Sequence, residues 1–165
     1  MWRLLAALFL SALACSPVPA ATASSTMAVT TRLQSTCGAS VTALAFPLYT
    51  PGGGARNANT AIRVRCTRGT AFTVSLDAGS TGGGTYAQRL MGSAAGLLQY
   101  NLYTNSARSR IFGDGTASTF TRGGTGAGLA TARTVTVYGR LPDSAANRLA
   151  VPGSYTDTIT VSVSY

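Results

Sequence analysis

Histidine, lysine and glutamate are all absent from the 165 residues, so every positive side chain is one of 13 arginines and every negative one is one of four aspartates. Without histidine there is no Ser–His or Cys–His nucleophile pair, and without lysine no Schiff base and no P-loop cation. The aspartates, Asp77, Asp114, Asp143 and Asp157, lie far apart in the sequence at turns and near strand ends. That is the pattern of solvated turn carboxylates, and nothing in it marks a catalytic dyad. Two thiols with no imidazole make a poor metal set, so no metal or other cofactor is expected. The sequence predicts no enzyme and no small-molecule substrate.

Positive charge is in excess, +9 for the whole chain. The arginines are scattered along the chain, with Arg63, Arg65 and Arg68 the only tight group of three. Two of those three fit the solvent face of a strand, so the excess points to an anionic cell surface and not to nucleic acid. "GGTGAG" (Gly123–Gly128) lacks dinucleotide spacing, and "GDGT" around Asp114 offers one carboxylate where calcium needs several oxygens. Both read as turns.

What is present begins with a leader. "MWRLLAALFLSALACSPVPAATA" has Arg3 before a short apolar run, Leu4 to Ala14, and a small-residue cleavage site at Ala21-Thr22-Ala23. The run is short for a bilayer span. Lipid attachment at Cys15 is an alternative, although Leu13 stands one place from the usual lipobox position. Cleavage near Ala23 leaves an exported chain with two cysteines, Cys37 and Cys66, an even number in an oxidising compartment; a disulfide between them is expected.

The exported part alternates with period two between glycine-rich turns. "AIRVRCTRG" places Ile62, Val64 and Cys66 on one face, "AFTVSLDAG" places Phe72, Val74 and Leu76, "LQYNLYT" places Leu98, Tyr100 and Leu102, and "RTVTVYGRL" places Val135 and Val137. No stretch has helical periodicity. Short strands with such punctuation predict an all-β sandwich. Alternation is clearest at the two ends. "GSYTDTITVSVSY" predicts a strand over Tyr155–Tyr165, with Tyr155, Asp157, Ile159, Val161, Val163 and Tyr165 on one face; "STMAVTTRLQSTC" sets Met27, Val29, Thr31 and Leu33 on another. Either these two strands belong to one sandwich, or the N-terminal one serves a neighbouring subunit.

Six elements in order resemble the spore coat protein U domain family, which includes pilins of archaic chaperone–usher pili. They are Cys37 after the first alternating segment, "IRVRCTRG" with Cys66, "RLM" at Arg89–Met91, "LQYNLYTNSARSRIFGDGT", "VYGRLP" and the C-terminal "GSYTDTITVSVSY". Phe46-Pro47 and Phe112-Gly113 stand where the family often has Phe-Gly and Trp-Gly.

The resemblance implies an immunoglobulin-like β-sandwich that is incomplete and is completed by a donor strand from another subunit. Residues 1–23 would be the signal peptide, 24–36 a donor-strand extension with Met27, Val29, Thr31 and Leu33 facing in, and 37–165 the pilin domain. The C-terminal strand, with Tyr155, Ile159, Val161, Val163 and Tyr165, would border the acceptor groove. A periplasmic chaperone would fill that groove first. At an outer-membrane usher the next pilin's extension would replace it, giving a head-to-tail surface fibre for adhesion and biofilm formation. An adhesive minor or tip subunit, or an envelope protein completed by its own N-terminal strand, are the alternatives.

Overall fold

The computed structural model describes residues 19–165. The apolar run of the leader and Cys15 lie outside the described residues. Residues 19–32 belong to a separate unit from the sandwich, residues 33–165. Taken by themselves, 19–32 are exposed throughout and form no strand.

Among the described residues the sandwich has eight strands: β1 (Cys37–Val41), β2 (Arg56–Cys66), β3 (Ala71–Leu76), β4 (Arg89–Ser93), β5 (Gly96–Tyr103), β6 (Arg122–Thr125), β7 (Arg133–Leu141) and β8 (Val161–Ser164). One sheet runs β1-β2-β7-β5-β4 and the other β6-β3-β8, with antiparallel pairing throughout. The alternating segments do what period two requires. Ile62, Val64, Phe72, Val74, Leu76, Leu98, Tyr100, Leu102, Val135 and Val137 are buried between the sheets. Arg63 and Arg65 face solvent.

Cys37 and Cys66 stand directly opposite in the β1–β2 register and are joined by a disulfide. Closing a loop of this length restricts the unfolded chain, a stabilisation of about 3.5 kcal/mol in the chain-entropy treatment. The bridge fixes the edge strand β1 to its neighbour in the sheet.

Two local features depart from the sequence reading. A single helical turn, α1 (Ala145–Arg148), follows β7; the Ser144 hydroxyl caps it by accepting from the Asn147 N–H at 3.2 Å. Asn147 is fully buried and uses its side-chain amide on Gln99 N–H, Gln99 C=O and Pro142 C=O. The C-terminal segment also differs. Regular pairing covers Val161–Ser164 and not the whole of Tyr155–Tyr165. The cause is a change of partner: Thr158 and Thr160 accept from Ser80 and Asp77 beyond the end of β3, while Thr156 exchanges two bonds with Gly92 of β4 in the other sheet. The chain stays extended with alternating burial as it passes from one sheet to the other.

Candidate functional site

That passage leaves one edge of the C-terminal segment fully bonded. Gly92, Ser80, Asp77, Ser75 and Thr73 meet Thr156, Thr158, Thr160, Ser162 and Ser164 in turn. In an extended antiparallel strand the N–H and C=O of one residue point to the same side and alternate along the chain. The backbone groups of Asp157, Ile159, Val161 and Val163 therefore point away from β3 and β4. They face the other sheet's edge, β1 and residues 42–46 that follow it.

Between these two edges runs an open apolar groove. Its first hollow, about 380 Å³, has Val41, Leu44 and Phe46 on one wall, Tyr155, Ile159 and Val161 on the other, and Ile62, Leu76, Leu102 and Val137 beneath. A second hollow of about 520 Å³ continues it towards Pro47–Pro51 and Val151–Gly153 and shares Leu44, Phe46, Met91 and Tyr155 with the first. Gly139 makes room for the wall: a Cβ there would strike the ends of Leu44 and Phe46. Phe46 in turn packs edge-on against Tyr100, ring centres 6.1 Å apart. A free strand edge beside an uncovered apolar trough is the arrangement left where a sandwich lacks a strand.

Among the described residues one charged side chain lies in this groove, Asp157. Its Oδ1 accepts from the N–H and hydroxyl of both Ser80 and Thr81 at 2.9–3.2 Å, and its Oδ2 from the Tyr100 hydroxyl at 2.6 Å. Burial pushes this carboxyl up, but the bonds from Tyr100 and Thr81 outweigh it and hold the group below the ordinary aspartate value. Tyr100 is raised far above a free phenol, by burial first and by Asp157 second. Beneath lies Arg89, with no exposed surface. Its guanidinium donates to Asp77 C=O, to Phe112 C=O at 2.7 Å and to Asn101 Oδ1 at 2.7 Å. At the far end Asp143 collects the Tyr49 hydroxyl at 2.6 Å, the Gly52 and Gly54 N–H groups and Arg148, fixing the turn that closes the second hollow. Burial and this carboxylate together push Tyr49 up to about 12. These are binding walls and braces. Among the described residues no group of three His, Cys, Asp or Glu is placed to hold a metal.

Of the residues singled out in the sequence, Tyr155, Ile159 and Val161 line the groove. Val163 packs on the core beyond it, and Tyr165 is 60% exposed and lines neither hollow. Met27, Val29 and Leu33 are 85%, 85% and 90% exposed, and Thr31 is exposed as well. The opposite wall escaped sequence reasoning. Val41, Leu44 and Phe46 are spaced three and two apart, so no single period gathers them. Asp157 was visible as an inward position, but its burial depends on Ser80, Thr81 and Tyr100, which only the fold brings near.

The comparisons with known proteins agree with this architecture. No curated protein matches the chain. Among solved structures it is similar to a chain of the CsuC–CsuE chaperone–tip adhesion subunit pre-assembly complex from the archaic chaperone-usher Csu pili of Acinetobacter baumannii. The TM-score is 0.57 at 21% identity, over 80% of this chain but only 40% of the other, and this likeness shows the immunoglobulin-like fold. A model of the Spore Coat Protein U domain matches residues 23–162, by far the greater part of the sequence, and the chain belongs to that family.

Proposed function

We propose that this protein is a structural subunit of a chaperone–usher pilus, exported through the periplasm and polymerised by insertion of one subunit's N-terminal segment into the groove of the next. The observation that carries the reading is the open groove with one unbonded strand edge, in a chain whose Met27, Val29 and Leu33 stand exposed at the spacing such a groove accepts. Burying three such side chains contributes about 1.5–3 kcal/mol each, and the backbone ladder adds to it. Each insertion fills a different molecule's groove, so the contact is head-to-tail and builds a filament for attachment and biofilm formation. Before assembly the same groove needs cover, which a periplasmic chaperone strand supplies until an outer-membrane usher hands the subunit on.

The test is polymer formation by the exported chain, read as a ladder on unheated gels and as fibres by electron microscopy. Val29→Asp, which places a charge among apolar walls, is expected to abolish the ladder while leaving a folded, disulfide-bonded monomer. Normal fibres from that variant would overturn the donor assignment. A wild-type chain that stays monomeric at every concentration would mean that the sandwich is completed by its own segment.

A further inference from the structure

Among the described residues the groove carries a single charged side chain, Asp157, and the segment proposed to fill it carries a single polar residue at its alternating positions. Facing inward on the wall, in order, are Tyr155, Asp157, Ile159 and Val161; the residues of the segment that would face inward on insertion are Met27, Val29, Thr31 and Leu33. Each series contains a single polar member other than tyrosine, Asp157 in one and Thr31 in the other. Resting on the pilus reading above, we propose that Asp157 is the positioning residue that sets the register and direction of the incoming strand. It accepts Thr31 of a second copy and rejects apolar side chains, so that the strand enters antiparallel with Leu33 opposite Tyr155, Val29 opposite Ile159 and Met27 opposite Val161.

The alternatives are few because side chains must stay inward, which restricts slips to steps of two. An antiparallel strand slipped one step sets Leu33 against the carboxylate; slipped the other way, it sets Val29 there and leaves Leu33 opposite Gly153. A parallel strand that keeps Thr31 on Asp157 sets Met27 opposite Gly153 and the polar Ser35 opposite Val161. Only the proposed pairing matches apolar with apolar at three positions and polar with polar at the fourth.

The carboxylate is built for this. Oδ1 is taken by four donors, whereas Oδ2 has only the Tyr100 hydroxyl, so a lone pair is left for one more. Directly opposite side chains in a ladder start about 5 Å apart, within reach of a threonine hydroxyl. An apolar side chain in that place would strip water from the free lone pair and offer nothing in return. A separate observation supports the direction. Leu33 precedes Cys37 by four residues, so the donor's own sandwich begins close to whichever groove end Leu33 occupies. In the antiparallel register that end is the Tyr155 end, where Leu48 and Val151 are largely exposed and would be covered by the next subunit.

Cysteine pairs on the outward faces read the register without touching the groove. Residues between the bonded positions form the close, non-hydrogen-bonded pairs of the ladder, within disulfide range. Ala28→Cys with Thr160→Cys is expected to cross-link neighbouring subunits at least about tenfold faster than Ala28→Cys with Thr158→Cys or with Ser162→Cys, the fold-change of one lost polar contact. Thr31→Leu, which leaves the groove itself unaltered, is expected to cut the cross-link of the first pair and spread it to the slipped pairs. Fibres whose slipped pair cross-links best, or whose register ignores Thr31→Leu, overturn the role of Asp157 while the pilus reading stands. Cross-links that appear only within monomers overturn the pilus reading itself.

Discussion

Replacing Arg89 by methionine is the most demanding test of how an open-sided sandwich holds its shape. The side chain has no exposed surface, and its fork ties the Asp77 carbonyl at the end of β3 to Asn101 of β5 and to the Phe112 carbonyl. Burial lowers its pKa, but the surrounding carbonyls and the ring of Tyr86, 5.7 Å away, keep the cation acceptable. Methionine fills much of the volume and leaves the Asp77 and Phe112 carbonyls without donors, each costing about 1–3 kcal/mol, while Asn101 Oδ1 keeps only the Leu102 N–H. Removing the desolvated guanidinium returns part of that, so a net loss of about 3–5 kcal/mol is expected, as for other broken buried charge contacts. For a domain of this size that is a fall in Tm of about 10–20 °C. The assay is thermal unfolding by circular dichroism with the disulfide intact, in a Val29→Asp background so that neighbours do not contribute. Arg89→Lys keeps the charge but cannot span all three oxygens, and its Tm should fall between the two. A loss under about 3 °C for Arg89→Met would refute the clamp, because it would mean that the two carbonyls find other partners at little cost.

Two further outcomes follow from the same structure. Asp114 is held at about 2 by the Thr116 hydroxyl and N–H, Asp143 is held well below the ordinary value by Arg148 and Tyr49, and Asp157 is held below it by its hydrogen bonds. Each folded pKa lies below the unfolded value of about 3.9, so the stability these groups contribute is complete above that pH and is lost as pH falls through the folded values. With no histidine or lysine in the chain, Tm should be flat from about pH 5 to 9 and drop below about pH 4, and a slope between pH 6 and 8 would contradict the assignment. Cys37→Ser should cost about 3.5 kcal/mol and loosen β1, measured as faster amide exchange over Gly38–Val41; unchanged exchange would show that β1 holds without the bridge.

Period two made the core legible because both sheets are half-buried and antiparallel: Ile62, Val64, Phe72, Val74, Val135 and Val137 could hardly face elsewhere. The same rule misjudged the length of the C-terminal strand, since alternation reports which side is buried and not which neighbour supplies the ladder. Thr156 bonds one sheet and Ser162 the other, yet the pattern runs through both without a break. α1 was invisible because one helical turn is shorter than any helical period, and its Ser144 cap stands in a stretch that reads equally well as a turn. The groove was half legible: its C-terminal wall is periodic, whereas Val41, Leu44 and Phe46 are placed by a loop that follows the β1 edge.

These parts fit together through where the polar and covalent ties are spent. The disulfide secures β1 to β2 within one sheet, while Arg89, joining the end of β3 to β5, and Thr156, exchanging bonds with Gly92, tie the two sheets to each other. On the groove side apolar surface is left in contact with solvent and a strand edge is left unbonded. A sandwich stabilised by its apolar core alone would lower its free energy by closing that gap. Directional bonds instead hold the sheets in register around it, because each orphaned oxygen would cost about as much as the apolar burial gained by collapse. Asp157 belongs to both sets: its five internal bonds brace the C-terminal wall, and its side chain lines the groove where a strand is wanting. The group that braces this wall is thereby also the one proposed to choose the register of the strand that fills the groove.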